Sequence, residues 1–159
     1  MKSTIYENKK DIRKVLNKRL FSLLFLAVLS VSCSGDNFNN HNPYIPGYNF
    51  SIQIDMTLPS YSQLQYASNG IYFNNGINSG VRGLIIFNTG SGFNAFDAAC
   101  PNTALGACST MSLAGIYAHC NCDESDYSLF TGQATTPGHD YPMKQYRISR
   151  NGNLLTVYN

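Results

Sequence analysis

The 159-residue chain has no tryptophan, few charges and no apolar run long enough to cross a membrane as a helix. Charged residues make up 13% against 43% apolar. That is about half the usual charged share, which excludes disorder driven by charge. The aromatic side chains are eleven Tyr and nine Phe, rings that favour half-buried strands over long helices. The net charge of +2 hides an asymmetry, because seven of the eleven basic residues fall within the first nineteen positions. From Ser34 onward only Arg82, Lys144, Arg147 and Arg150 face seven acids, a net charge of −3. With no basic patch to hold a phosphate backbone, nucleic acid binding is excluded. Enzyme signatures are also missing. There is no Ser-His-Asp order, no G-x-S-x-G elbow and no G-x-G-x-x-G after a strand, so a stand-alone enzyme has little support.

What is present begins with an address. A basic stretch is followed by residues 20–32, thirteen apolar or small residues without a charge. At about 1.5 Å per helical residue this run cannot span a core of about 30 Å, but it suits the h-region of a secretory signal. It ends directly before Cys33 and resembles a bacterial lipoprotein signal, with Ser30 where that pattern prefers Leu. The resemblance implies cleavage before Cys33 and lipidation of its sulfur and amine. The expected location is the bacterial cell envelope, facing the periplasm or the cell surface, with the membrane as partner through acyl chains. The domain reading is a signal over 1–33, a flexible Asn-rich tether with Pro43 and Pro46 over 34–46, and one folded domain over 47–159.

Within that domain the apolar pattern has a period of two. Residues 49–55 place Phe50, Ile52 and Ile54 on one face, and 83–87 form a continuous apolar run. Residues 89–92 make a turn into a partner strand over 93–97. Residues 144–149 and 154–158 flank Asn151-Gly152, a strong hairpin signal. No stretch of ten residues past Ser34 keeps a helical period. The expected class is all-β, a small antiparallel sandwich or barrel.

Besides Cys33, four cysteines lie within twenty-three residues: Cys100, Cys108, Cys120 and Cys122. In an exported domain, four cysteines read as two disulfides. Crowded into two loops, they also read as a metal centre, though the Cys-x-x-Cys knuckles of structural zinc are absent. The spacing leaves both open.

The residues around them resemble the Rieske [2Fe–2S] family, in particular its ferredoxin-like members. Cys100-Pro101-Asn102, then Leu105-Gly106 and Cys108, is similar to the first box, C-x-H-L-G-C. Cys120-Asn121-Cys122-Asp123-Glu124-Ser125 is similar to the second, C-P-C-H-G-S. Residues 96–101 look like the strand that delivers the first loop, and 127–132 like the F-D-x-x-T-G strand after the second. Residues 142–148 with Asn151-Gly152 look like the closing P-L-x-x-Y hairpin. The resemblance covers about residues 45 to 159, with a two-loop subdomain for the cluster.

It implies a [2Fe–2S] electron-transfer lipoprotein that passes single electrons to a redox partner protein. The metal ligands would be Cys100 and Cys120, with Asn102 and Asp123 at the two histidine positions. It also implies a Cys108–Cys122 disulfide between the loops. A Rieske centre takes two Cys and two His. Neutral Asn is a poor iron ligand, whereas Asp123 offers a hard oxygen. His139 lies in a stretch, 136–140, resembling the family's proline loop. His119 sits beside Cys120 rather than three residues after it, and His41 is in the tether. Two alternatives stay open for the cysteines, a second disulfide Cys100–Cys120 or a four-cysteine cluster. The alternative function is a cluster-less binding or structural lipoprotein held by disulfides.

Overall fold

The structure, a computed structural model, describes residues 41–159. The expected signal over 1–33, Cys33 included, and residues 34–40 of the expected tether lie outside the described residues. The chain forms β1 (Ser51–Asp55), a 3-10 turn (Ser62–Gln65), β2 (Gly70–Phe73), β3 (Leu84–Asn88), β4 (Phe93–Asp97) and β5 (Ser112–Ala114). It continues with β6 (Tyr117–Cys120), β7 (Ser125–Ser128), β8 (Gln145–Asn151) and β9 (Leu154–Tyr158). A six-stranded sheet has the order β1-β9-β8-β4-β3-β2, and a three-stranded sheet the order β5-β6-β7. Every pairing is antiparallel. The class is all-β.

Strand β3 explains the continuous apolar run, because all five of its residues are buried. Successive side chains of a strand face opposite ways. Leu84 and Ile86 enter one core with Ile54, Leu64 and Leu155. Ile85 and Phe87 enter a second with Phe96, Met111, Tyr127 and Leu129. A strand covered on both faces must be apolar at every position. The expected alternation holds, with Phe50 just before β1 and Ile52 and Ile54 within it all buried. The second core also takes in Ala118, Cys100 and Cys120. It joins the three-stranded sheet that carries the cysteines to the larger sheet.

The turn of the last hairpin and the start of the packed chain differ from the sequence expectation. Strand pairing in the last hairpin runs to Asn151↔Leu154, so Gly152 and Asn153 make the turn, one residue later than Asn151-Gly152. Gly152 has φ +60°, a conformation that glycine adopts without penalty. Residues 42–46, expected as part of a flexible tether, pack on the domain. Ile45 is 1% exposed and its carbonyl accepts a hydrogen bond from Lys144 Nζ at 3.2 Å. Asn42 Nδ2 donates to the Pro101 carbonyl at 2.8 Å, so the chain packs on the domain from about residue 42.

Candidate two-disulfide site

The first loop is aimed by one carboxylate. Asp97 ends β4 and is fully buried. Its Oδ2 accepts the Val81 N–H at 2.6 Å and the Tyr146 hydroxyl at 2.8 Å. Its Oδ1 accepts the Arg82 N–H at 3.2 Å and the Ala99 N–H at 2.8 Å. Burial pushes this carboxyl above the ordinary range, opposed by these donors, Val81 foremost. The Tyr146 hydroxyl is likewise pushed up, by burial first and by Asp97 second. The 80–82 segment, β8 and the start of the cysteine loop thus meet at one side chain. Gly80 is needed beside it, because a Cβ there would lie 2.5 Å from Asp97 Oδ2 at φ +74°.

Past Asp97 the chain makes an excursion whose base is zipped. The Cys100 N–H donates to the Ser109 carbonyl at 2.9 Å and the Met111 N–H to the Ala98 carbonyl at 2.7 Å. Arg82 Nη2 donates to the Gly106 carbonyl at 2.8 Å, holding the far side. The second loop is the tight link between β6 and β7. There Asp123 Oδ1 accepts the Ser125 N–H at 3.2 Å and the Ser125 hydroxyl. Glu124 takes the left-handed conformation, φ +54°.

Two disulfides tie these loops together. Cys108 bonds to Cys122, with Cα atoms 5.1 Å apart, the pairing that the family resemblance implied. Cys100 bonds to Cys120, with Cα atoms 5.6 Å apart, one of the alternatives the spacing left open. The two bonds differ in exposure. Cys100 and Cys120 are fully buried in the second core, whereas Cys122 is half-buried and Cys108 exposed. The sulfurs of Cys100, Cys120 and Cys122 all lie within 4.8 Å of one another.

The residues at the family's two histidine positions are turned to protein partners. Asn102 Nδ2 donates to the Tyr127 hydroxyl at 2.9 Å and to the Tyr141 carbonyl at 2.7 Å. Asn102 Oδ1 accepts the Tyr141 N–H at 2.9 Å. The amide therefore pins the 135–142 loop to β7. Asp123 Oδ2 is buried, with no hydrogen bond, and stands 3.7 Å from His139 Nε2. The His139 ring meets Tyr127 edge-on at 6.0 Å. In this arrangement both sulfurs are consumed in a bond, one imidazole position is an amide with its hydrogen bonds filled, and the other is a carboxylate. The donor set does not fit a Rieske cluster, which takes two thiolates and two imidazoles.

His119 faces the opposite way, off the site. Its Nδ1 lies 2.8 Å from Asp126 Oδ1, and its Nε2 lies 3.5 Å from Glu124 Oε2. The Asp126 hydrogen bond raises its pKa above the ordinary histidine value of 6.5. A raised histidine pKa stabilises the fold fully below about pH 6.5, and the gain is lost as pH rises through the folded value. An NMR titration should therefore place His119 above an unpaired histidine, and Asp126→Asn should lower it. Unchanged titration in that variant would contradict the pairing.

The chain matches no protein-family model and no curated protein. Among solved structures it is similar to a chain of the complex of reduced oxygenase and oxidized ferredoxin in carbazole 1,9a-dioxygenase. The identity is 14% over 70% of this chain and 94% of that one, with a TM-score of 0.47. It is similar to the ferredoxin of carbazole 1,9a-dioxygenase from Nocardioides aromaticivorans IC177, at 14% identity over 66% of this chain and 95% of that one, TM-score 0.43. It is also similar to the Sphingomonas yanoikuyae B1 ferredoxin, at 13% identity over 61% of this chain and 93% of that one, TM-score 0.42.

Proposed function

We propose that this protein is a lipid-anchored envelope lipoprotein of Rieske-like architecture, in which two disulfides hold the loops that hold iron in the family it resembles. The domain then acts as a rigid, cluster-free binding module for an envelope partner. The observation that carries this reading is the buried Cys100–Cys120 bond, which occupies both cysteines that the resemblance assigns to iron. The filled hydrogen bonds of Asn102 support it from a third position, and Asp123 places a carboxylate where the resemblance calls for an imidazole. The electron-carrier reading keeps one observation in its favour, the gathering of three sulfurs within 4.8 Å. It requires the Cys100–Cys120 bond to be open. A visible absorbance spectrum of anaerobically purified protein separates the two. A featureless spectrum above the aromatic band is expected, and a brown [2Fe–2S] spectrum would overturn the cluster-free reading.

The anchor rests on the apolar run that ends at Cys33. Cys33→Ser is expected to move the protein from the membrane fraction to the soluble fraction or to leave it as an uncleaved precursor. An acylated variant that still sediments with membranes would sink the anchor.

A further inference from the structure

We propose that Cys108–Cys122 is an exchange-active disulfide, entered at Cys108 by an external thiol, and that its electrons pass on to the buried Cys100–Cys120 bond. The inference rests on the same cysteine pairing as the cluster-free reading, and it adds an activity to that reading. Thiol–disulfide exchange needs a thiolate to reach a sulfur from outside. Cys108 is exposed, Cys122 half-buried, and the other two cysteines are sealed in the second core. Access therefore selects one sulfur of four.

The attacking group belongs to an envelope dithiol protein or a small thiol. Its thiolate bonds to Cys108 Sγ, the Cys108–Cys122 bond breaks, and the electron pair leaves on Cys122 Sγ. That thiolate is born beside Asp123 and Glu124, two acids that give it no stabilisation. It also lies within 4.8 Å of both sulfurs of the neighbouring disulfide. An intramolecular attack at that range has a large proximity advantage over any attack from solution. Cys122 Sγ bonds to Cys100 Sγ, the Cys100–Cys120 bond breaks, and Cys120 leaves as a thiolate that takes a proton from water. The reductant's second thiol, or a second molecule where the reductant is a small monothiol, then attacks the mixed disulfide and releases Cys108. The reductant's two thiols become a disulfide, and the protein gains two electrons and two protons as the thiols of Cys108 and Cys120. Attack on Cys100 is preferred to attack on Cys120, because only Asn121 separates Cys120 from Cys122, a very short span for a disulfide loop.

The test uses the full-length protein in detergent, reduced glutathione as probe, and alkylation followed by peptide mapping, with iron measured on the same sample. The glutathione adduct is expected at Cys108, formed at least about tenfold faster than at Cys100, Cys120 or Cys122, which are buried or half-buried. The alkylated thiol is expected at Cys120, with a minor share at Cys122. In Cys108→Ser, the single thiol should likewise be distributed between Cys122 and Cys120. Adducts that form first on Cys100 or Cys120, or only once denaturant unfolds the chain, would overturn the entry step. A thiol found at Cys122 alone in both proteins would overturn the transfer. Iron in the sample would refute the cluster-free reading and the transfer together, while the adduct at Cys108 would still report the entry step by itself.

Discussion

Replacing Asp97 with Ala is expected to destabilise the domain by about 3–5 kcal/mol, although none of its side-chain hydrogen bonds goes to a cysteine. The carboxylate accepts three backbone N–H groups and one hydroxyl at a fully buried position. Removing it leaves all four donors without an acceptor, and each such orphan costs about 1–3 kcal/mol. The sum is not additive, since the variant also relieves the burial that raises the carboxyl's pKa. Asp97→Asn keeps the shape but turns an amide N–H2 towards a donor, so a loss of about 1–3 kcal/mol is expected. Urea denaturation of the three proteins should rank them wild type, Asn, Ala. Because Ala99 is held by the same carboxylate, the Ala variant should also expose Cys100–Cys120 to reductant without denaturant. A variant as stable as the parent would refute the anchoring role.

The double substitution Cys100→Ser with Cys120→Ser should cost more than Cys108→Ser with Cys122→Ser. Loop-closure entropy barely separates the two bonds. Their sequence separations are 20 and 14, worth roughly 3 kcal/mol each in the chain-entropy model. Burial decides the order. Two serine hydroxyls placed among Phe96, Met111 and Leu129 need partners that an apolar core does not supply, adding about 1–3 kcal/mol apiece. The inner pair should therefore lose about 5 kcal/mol or more, and the outer pair about 3 kcal/mol or less. Chemical denaturation of both double variants measures this directly. Equal losses would show that the inner bond gains nothing from its setting.

Much of the architecture is legible in the sequence because period-two patterning needs no long-range information. The strands over 93–97 and 154–158 match β4 and β9 residue for residue, and the apolar run over 83–87 is β3 displaced by one position. The cysteine subdomain was harder to read. Strands β5, β6 and β7 have three or four residues each, too few for a period to emerge. The stretch read as a strand over 127–132 belongs to β7 only at Tyr127 and Ser128. It then turns, with the Gly132 N–H bonded to the Ser128 carbonyl at 2.7 Å. Strand β2 gives no clear signal, since Gly70–Phe73 is only four residues long and runs directly into the Asn-rich segment 74–78. The roles of Asp97, Tyr127 and Tyr141 depend on partners 16 to 49 positions away, and no local spacing signals them. The choice between ligand and disulfide at Cys100 and Cys120 is of the same kind. It turns on which side chains surround the two sulfurs in space, and the sequence offered only the amide and carboxylate at positions 102 and 123 as a hint.

The most direct test of the cluster-free, two-disulfide account is peptide mapping of the non-reduced protein, purified without oxygen, alongside iron and acid-labile sulfide analysis of the same sample. The account predicts Cys100 linked to Cys120, Cys108 linked to Cys122, and no stoichiometric iron or sulfide. Two irons and two sulfides per chain, with Cys100 and Cys120 recovered as free thiols after acid release, would contradict it.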